Sequence, residues 1–518
     1  WRQGKFRRGK AGSWQDELPE RLHLRFLRLH GRELVRMNYV DPPACPSVDK
    51  GFRVASPRVQ RSTSSKKQRG RKRVLIDVSK LLDARIDGIR RYVQELVRAM
   101  LPIAERRADA WKIDVRFGPG GTFPLLDVAE DVRRGQPPVE GIHRLFRTDD
   151  ENPIHVCKRR LSRMADRRDK EFVLETLRLQ YLKAHRSVQK RWRKLKDAAE
   201  SLFPNGQATH YDLVHLTLPN TWELYRNVSA PLLTMVHDLS HTACPELQAA
   251  SNNRSLAAGL RFAQNADSDY VANSQATKDQ MVAQLGVDPE RVAVVHLACD
   301  TERFQPVARA QRLAAVREKY GIPEGPYVLS LGTLEPRKNL INTVRAFTLL
   351  TEEAPQLDAN LVIAGSFGWG DANELKQAVE ACPRVRAIGY ADDGDLPALY
   401  SGAAAFSYVS HYEGFGLPLL EAMACGAATI YGDVSSMPEI VGEAGLPASP
   451  GDVHQIKSRM RQLLEDDVLR SRLSALAVVR SLDFSWEKVA EETLACYEHF
   501  IEARANSPNR GFVDRAST

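Results

Sequence analysis

The sequence lacks any apolar run long enough to cross a bilayer: across 518 residues no stretch approaches the roughly 20 apolar residues of a spanning helix. No membrane span is therefore expected. Cysteines are few, seven in all (Cys45, Cys157, Cys244, Cys299, Cys382, Cys425, Cys496), odd in number, scattered, and without a CxxC pair or a Cys/His spacing suited to zinc. That argues against a disulfide framework and a zinc finger, and it predicts reduced, mostly buried thiols in a cytoplasmic protein. The chain begins with Trp1, has no initiator methionine and no apolar signal core, so it reads as a fragment or a processed form. Aromatic-rich segments of the kind that stack nucleobases are also missing, and no nucleic-acid partner is expected.

What is present is length, ordinary apolar content and localised charge. A chain of 518 residues exceeds what one hydrophobic core serves, so two domains with extensions and a large cleft between them are expected. The formal net charge of +9 is concentrated in the first seventy residues and near 157–196. Residues 1–70, with runs such as SPRVQRSTSSKKQRGRKR, read as a basic arm or linker. Residues 71–302 read as the first domain, with a basic helical insertion near 150–205. Residues 303–484 read as the second domain, and 485–518 as a helix that packs back, with a tail.

Hydrophobic periodicity supports that division. VLIDVS followed by IRRYVQELVRAML gives a strand, a loop containing Gly88 and a helix, and WKIDVRF, DLVHLTL, LLTMVHD, YVANS and VAVVHLA supply further strands. The alternation lapses over HLACDTERFQPVARA, with Pro306, and restarts at YVLSLGT, continuing through NLVIAG, RVRAIGY and AAFSYVS with helices between them. Strand-helix alternation of this kind predicts two doubly wound α/β domains, each a parallel sheet covered by helices on both faces.

In such sheets ligands bind beyond the carboxyl ends of the strands, so the strand-to-helix loops carry the candidate chemistry. After YVLSLGT come Gly332, Thr333 and then LEPRKN, where Arg337 and Lys338 stand beside the next helix N-terminus, a combination suited to a diphosphate. A solvated basic turn is the plainer alternative. The stretch HYEGFGLPLLEAMACG places Glu413 and the glycines 414 and 416 in a loop before a helix that carries Glu421, with Pro418 at its start and Gly426 at its end. Carboxylates accept from sugar hydroxyls and glycine N–H groups donate to phosphates. LLTMVHD ends in His237 and Asp238, where a side chain can act on a ligand or simply support the core.

LGTLEPRKN together with EGFGLPLLEAMACGAATIYGDVSSMPEIVGEAGL resembles the retaining glycosyltransferase family 4, also called the group 1 glycosyl transferases, whose GT-B fold has two facing Rossmann-like domains. Glu413 and Glu421 match its E-x7-E motif, VLIDVSKLLDARIDGIRRYVQEL resembles its first strand, glycine loop and helix, and the similarity covers most of 72–500. The resemblance implies that Arg337 and Lys338 bind the donor diphosphate and Glu421 the ribose. Glu413, with N–H groups from Gly414, Phe415, Gly416 and Leu417, would contact the transferred sugar. His237 would lie near sugar and acceptor, with Gly88, Gly332 and Thr333 lining the donor. It further implies a hexosyltransferase that retains anomeric configuration, uses a nucleotide sugar as substrate and needs no cofactor or metal; no Asp-x-Asp triplet stands out near the donor loops. HLACD departs from the turn common in relatives, although Asp300 is kept, and the basic insertion has no counterpart in the recognised pattern.

VHDLSH and the later motifs resemble bacterial mannosyltransferases, which points to GDP-mannose as donor and to a glycan or lipid-linked acceptor in polysaccharide or glycoconjugate synthesis. The insertion CKRRLSRMADRRDKEFVLETLRLQYLKAHRSVQKRWRKLKDAAESLF is helical in pattern and rich in Lys and Arg. It is read either as a contact with an anionic membrane surface, at the inner face of the membrane, or as a solvated hairpin. Two other function classes are weighed: a GT-B sugar phosphorylase or epimerase, and a nonenzymatic basic nucleic-acid-binding protein.

Overall fold

The computed structural model describes residues 71–82, 87–117, 121–129, 211–225, 228–247, 250–366 and 373–506. The basic arm 1–70 and the basic segment near 150–205 lie outside the described residues. The chain divides into two compact units. The N-terminal unit runs from Arg71 to Ala298 and also takes in Tyr412–Leu417 and the chain from Phe484 onward; the C-terminal unit holds Cys299–His411 and Pro418–Asp483.

The sheet of the N-terminal unit is built from β1 (Lys72–Asp77), β2 (Trp111–Phe117), β3 (Gly121–Pro124), β4 (Leu213–Leu216), β5 (Leu232–Val236), β6 (Asp269–Ala272) and β7 (Val292–Val294). Their order across the sheet is β3-β2-β1-β4-β5-β6-β7. Every pairing is parallel except that of β3 with β2. The antiparallel β3 is the one departure here from the expected parallel sheet, and its short GTFP sequence carries no alternation that could have announced it. Strands β4, β5 and β6 are buried at every residue, which is why they read as continuous rather than alternating apolar runs.

Helix α1 (Gly88–Arg106) starts where the Asp87 carboxylate accepts the Arg90 N–H at 2.9 Å, and it buries Tyr92, Val93, Leu96, Val97 and Met100 at helical spacing. Gly88 is therefore the first helical residue, where the sequence reading had it within the preceding loop. Helices α2 (Ala250–Asn265) and α3 (Gln275–Leu285) follow, α3 capped by Ser274 and stopped by left-handed Gly286. The last helix, Trp486–Ala505, is capped by Ser485, buries Val489, Leu494 and Tyr497, and packs against α1, with Trp486 beside Tyr92.

In the C-terminal unit β8 (Tyr327–Leu331), β9 (Asn360–Ala364), β10 (Val385–Gly389), β11 (Ala405–Tyr408), β12 (Thr429–Gly432) and β13 (Gly445–Ala448) form a wholly parallel sheet in the order β10-β9-β8-β11-β12-β13. Helices α4 (Leu340–Glu353), α5 (Leu417–Ala424) and α6 (Val453–Glu465) accompany it. Phe347 and Leu350 of α4, Leu361 and Ile363 of β9, and Ile456 and Leu463 of α6 share one buried cluster. Counted within its unit, each sheet has the doubly wound order 3-2-1-4-5-6, with the N-terminal one extended by β7. The connections change direction between β1 and β4 in one unit and between β8 and β11 in the other, and the carboxyl ends of those strand pairs are where this architecture places ligands.

Candidate active site

At the β8/β11 switch point two loops carry the C-terminal unit's candidate residues. Chain leaving β8 passes through Gly332, at φ 153°, and Thr333. A tight turn at Pro336–Lys338 then leads to Asn339, a non-glycine residue at φ 55° directly before α4. Asn339 holds this conformation because its buried side-chain amide donates to the carbonyls of Val409 at 2.9 Å and Pro450 at 2.7 Å. The Arg337 carbonyl accepts the His411 N–H at 2.9 Å, so the loop after β8 is sewn to the loop after β11. Three glycines let the backbones converge: Gly332 N–H donates to Ala364, Gly365 N–H to Gly389, and a Cβ on Gly365 would stand 1.9 Å from the Gly332 carbonyl.

The two cations are oriented by different partners. Arg337 pairs with Glu335 at 2.7 Å, both side chains 13% exposed, while the Lys338 ammonium donates to the Tyr408 hydroxyl at 2.6 Å. Below Tyr408 the rings of Phe406 and Tyr400 continue a buried aromatic row, and the Tyr400 hydroxyl donates to Glu421 Oε2 at 3.1 Å. Glu421 lies inside α5, which begins at Leu417, one residue before Pro418, and ends at Ala424, two residues short of left-handed Gly426. Lys338 and Glu421 are thus linked through Tyr408 and Phe406 of β11 and the neighbouring Tyr400. Asp300, in the departing HLACD segment, accepts the N–H groups of Glu302 and Arg303 and so caps a turn.

Glu413, Gly414, Phe415, Gly416 and Leu417 belong to the N-terminal unit. The Tyr412 hydroxyl accepts the Leu239 N–H at 3.0 Å and donates to Gln280 at 2.7 Å, and the Gly414 carbonyl accepts from Ser274 at 2.8 Å. Only glycine fits at 414, because a Cβ there would stand 1.9 Å from the His237 carbonyl. Phe415 meets His296 and Phe484, Gly416 sits at φ 98°, and Leu417 approaches the position a Cβ would take on Gly88 to 3.3 Å. Glu413 itself is buried.

His237, just past β5, donates through Nε2–H to the Thr217 carbonyl at 2.9 Å and lies edge-on to Tyr92 with ring centroids 5.0 Å apart. A carbonyl only accepts, so Nε2 carries the proton and Nδ1 is an acceptor in the neutral ring. Burial lowers the His237 pKa, partly offset by that hydrogen bond and by Asp238 and Asp87, which favours the neutral form. Sequence reasoning singled out Glu413 and His237 as candidates but not Tyr412, Ser274 or Asn339, which hold the candidate loops. Of these, only Ser274 carried a signal, as the capping serine before α3.

Two Asp-x-Asp triplets do occur among the described residues, and both are committed elsewhere. Asp267 and Asp269 are paired with Arg291 and Arg504. Asp393 pairs with Arg303, and Asp395 with Arg312 and Lys319. Among the described residues no group of three His, Cys, Asp or Glu side chains is arranged to hold a metal ion, and no helix is long and apolar enough to cross a membrane. The five described cysteines are buried thiols.

Comparison with known proteins places these features. Residues 314–477 match the family described as Glycosyl transferases group 1, and residues 154–303 match Glycosyltransferase Family 4, a span that takes in the basic segment 157–203. The chain is 35% identical over 269 residues to the O-antigen chain mannosyltransferase B of Escherichia coli, covering 51% of this chain and 70% of that protein. It is 30% identical over 236 residues to the serotype-specific mannosyltransferase WbdA of Escherichia coli, covering 45% of this chain and 29% of that much longer protein. Among solved structures, Anabaena HepE in complex with UDP and glucose superposes with a TM-score of 0.53 at 15% identity, covering 83% of this chain and all (100%) of HepE. Sucrose-phosphate synthase from Thermosynechococcus elongatus does so with a TM-score of 0.54 at 19% identity, covering 84% and 100%. These two likenesses speak to the fold alone, which is that of the GT-B glycosyltransferases. The chain therefore belongs to the group 1, family 4 glycosyltransferases and is a transferase enzyme of that class.

Proposed function

We propose that the chain transfers a mannosyl residue from GDP-mannose to a glycan or lipid-linked acceptor in polysaccharide synthesis, with retention of anomeric configuration and without a bound metal. The observation that carries the reading is the Arg337–Lys338 turn at the β8/β11 switch point, joined through β11 to buried Glu421. Two cations beside the start of α4 are suited to the diphosphate, and their attraction grows as negative charge builds on the leaving nucleoside diphosphate. Glu421 takes the ribose hydroxyls. Glu413 and the N–H groups from Gly414 to Leu417 take the transferred sugar, Gly88, Gly332 and Thr333 line the donor, and His237 Nδ1 accepts from a sugar or acceptor hydroxyl. Mannose as the sugar and a polysaccharide acceptor are supported by the names of the Escherichia coli relatives. Metal independence is supported by the engagement of both Asp-x-Asp triplets with arginine and lysine.

The test is slow hydrolysis and transfer across GDP-, UDP-, ADP- and dTDP-sugars in the presence of EDTA, with the product anomer read by NMR. GDP-mannose alone should turn over, unaffected by EDTA, to give the α-anomer. Turnover of a different donor, an inverted product or complete loss with EDTA would each remove the corresponding part of the proposal.

A further inference from the structure

In the loop Tyr412–Leu417 the residues on either side of Glu413, the one acid in it, are each held by hydrogen bonds to the surrounding fold. Tyr412 is fixed twice through one hydroxyl, accepting from the Leu239 backbone at 3.0 Å and donating to Gln280 of α3 at 2.7 Å. Gly414 is fixed through its carbonyl by the Ser274 hydroxyl at 2.8 Å, with the Thr277 hydroxyl at 3.4 Å. The Asn273 amide donates at 2.8 Å to the His237 carbonyl, the atom against which Gly414 packs, and so steadies that contact from the other side. Tyr412, Ser274 and Thr277 are all buried, so each of these hydrogen bonds would leave an unsatisfied polar group if broken. Glu413 is flanked on both sides by residues that cannot shift without such a loss.

We propose that Tyr412 and Ser274 are positioning residues for Glu413: the Tyr412 hydroxyl, between Leu239 and Gln280, and the Ser274 hydroxyl, on the Gly414 carbonyl, set where the Glu413 carboxylate meets the transferred sugar. The proposal rests on the reading of Glu413 as a sugar contact. Misplacement by a fraction of an ångström weakens an interaction made at the reacting sugar while leaving nucleotide affinity alone. The effect therefore belongs in kcat and in sugar-nucleotide affinity, and not in affinity for the nucleoside diphosphate.

The experiment uses the full chain with the donor that the wild type turns over, comparing Tyr412→Phe, Gln280→Leu, Ser274→Ala and Ser274→Thr by steady-state kinetics and by calorimetric titration of the matching nucleoside diphosphate. Tyr412→Phe and Ser274→Ala should each lower kcat about tenfold, the loss expected from misaligning one catalytic contact. Nucleoside diphosphate affinity should stay within about twofold at full binding stoichiometry, and Ser274→Thr, which keeps the hydroxyl, should restore most of kcat. Gln280→Leu should fall between them. Ser274 also caps α3, so a purely structural role would lower binding stoichiometry and thermal stability together and leave kcat per active site unchanged; that result overturns the proposal. Wild-type kinetics in all four variants overturns it too. A wild type that turns over no sugar nucleotide overturns the reading of the site, and the proposal with it.

Discussion

The loop after the first strand occupies the same topological place in both units, and the two loops are chemically opposite. After β8 the chain presents Arg337, paired with Glu335, and Lys338, bonded to Tyr408, at a loop clamped by Asn339. At the end of β1, where that loop begins, stands Asp77, fully buried, accepting from the Ser79 N–H at 3.0 Å and from the hydroxyls of Ser79 and Thr221 at 2.5 Å each. Burial pushes the Asp77 pKa up, against the pull of those hydrogen bonds and of Arg116. Doubly wound topology offers a site at each switch point: the first of these loops sets Arg337 and Lys338 beside a helix start, whereas in the second Lys80 is paired with Asp87 at 2.7 Å. The second spends its charge inside the fold, stitching the turn at Ser79–Leu82 to the one at Pro219–Tyr225.

The sharpest way to break that comparison is to exchange the expected consequences of the two loops. Arg337→Ala should lower turnover about 100- to 1000-fold, the range seen when one preorganised transition-state stabiliser is removed. Its unfolding midpoint should stay within a few degrees of wild type, by calorimetry. Phe347→Ala, in the core under the cation loop, should instead cost about 3–5 kcal/mol in denaturant unfolding, because it opens a cavity against β9 and α6. Asp77→Ala should cost about 1–3 kcal/mol by stranding the donors of Ser79 and Thr221, with a smaller effect on kcat than Arg337→Ala. A catalytic loss at Asp77 as large as that at Arg337 would erase the distinction between the loops.

A further test is the pH dependence. His215 is fully buried, bonded through Nδ1 to the Tyr497 hydroxyl at 2.8 Å, and burial lowers its pKa from 6.5 to about 3, with His237 adding to the shift. His237 is itself lowered by burial. A histidine with a lowered folded pKa is neutral in both states above pH 6.5; below it the unfolded chain takes up the proton first. Stability should fall as pH drops from 6.5 toward 3, and His215→Gln should flatten that slope in thermal melts taken through this window. A slope unchanged in His215→Gln would assign it to carboxylates instead.

Much of the fold was legible because parallel strands buried on both faces leave continuous apolar runs, such as LLTMV and NLVIA. β3 was not, since its four residues are placed by pairing with β2 and not by their own pattern. Among the candidate residues, the cations and carboxylates stood out by type and spacing, and the glycines at 332 and 416 by the loops they sit in. Tyr412 and Asn339 stayed hidden because their roles depend on partners far away in sequence: Leu239 and Gln280 for one, Val409 and Pro450 for the other. Gly414 reveals the same limit, for its close approach to the His237 carbonyl exists only once the chain has folded.

The central claim is that the turn after β8, and not its counterpart after β1, holds the donor diphosphate. Calorimetric titration of GDP onto the wild type, Arg337→Ala and Asp77→Asn tests it directly. The account predicts that affinity falls about tenfold or more in Arg337→Ala, as for loss of a charge-assisted contact, and stays at the wild-type value in Asp77→Asn. Equal affinity for wild type and Arg337→Ala, or a loss confined to Asp77→Asn, would contradict it.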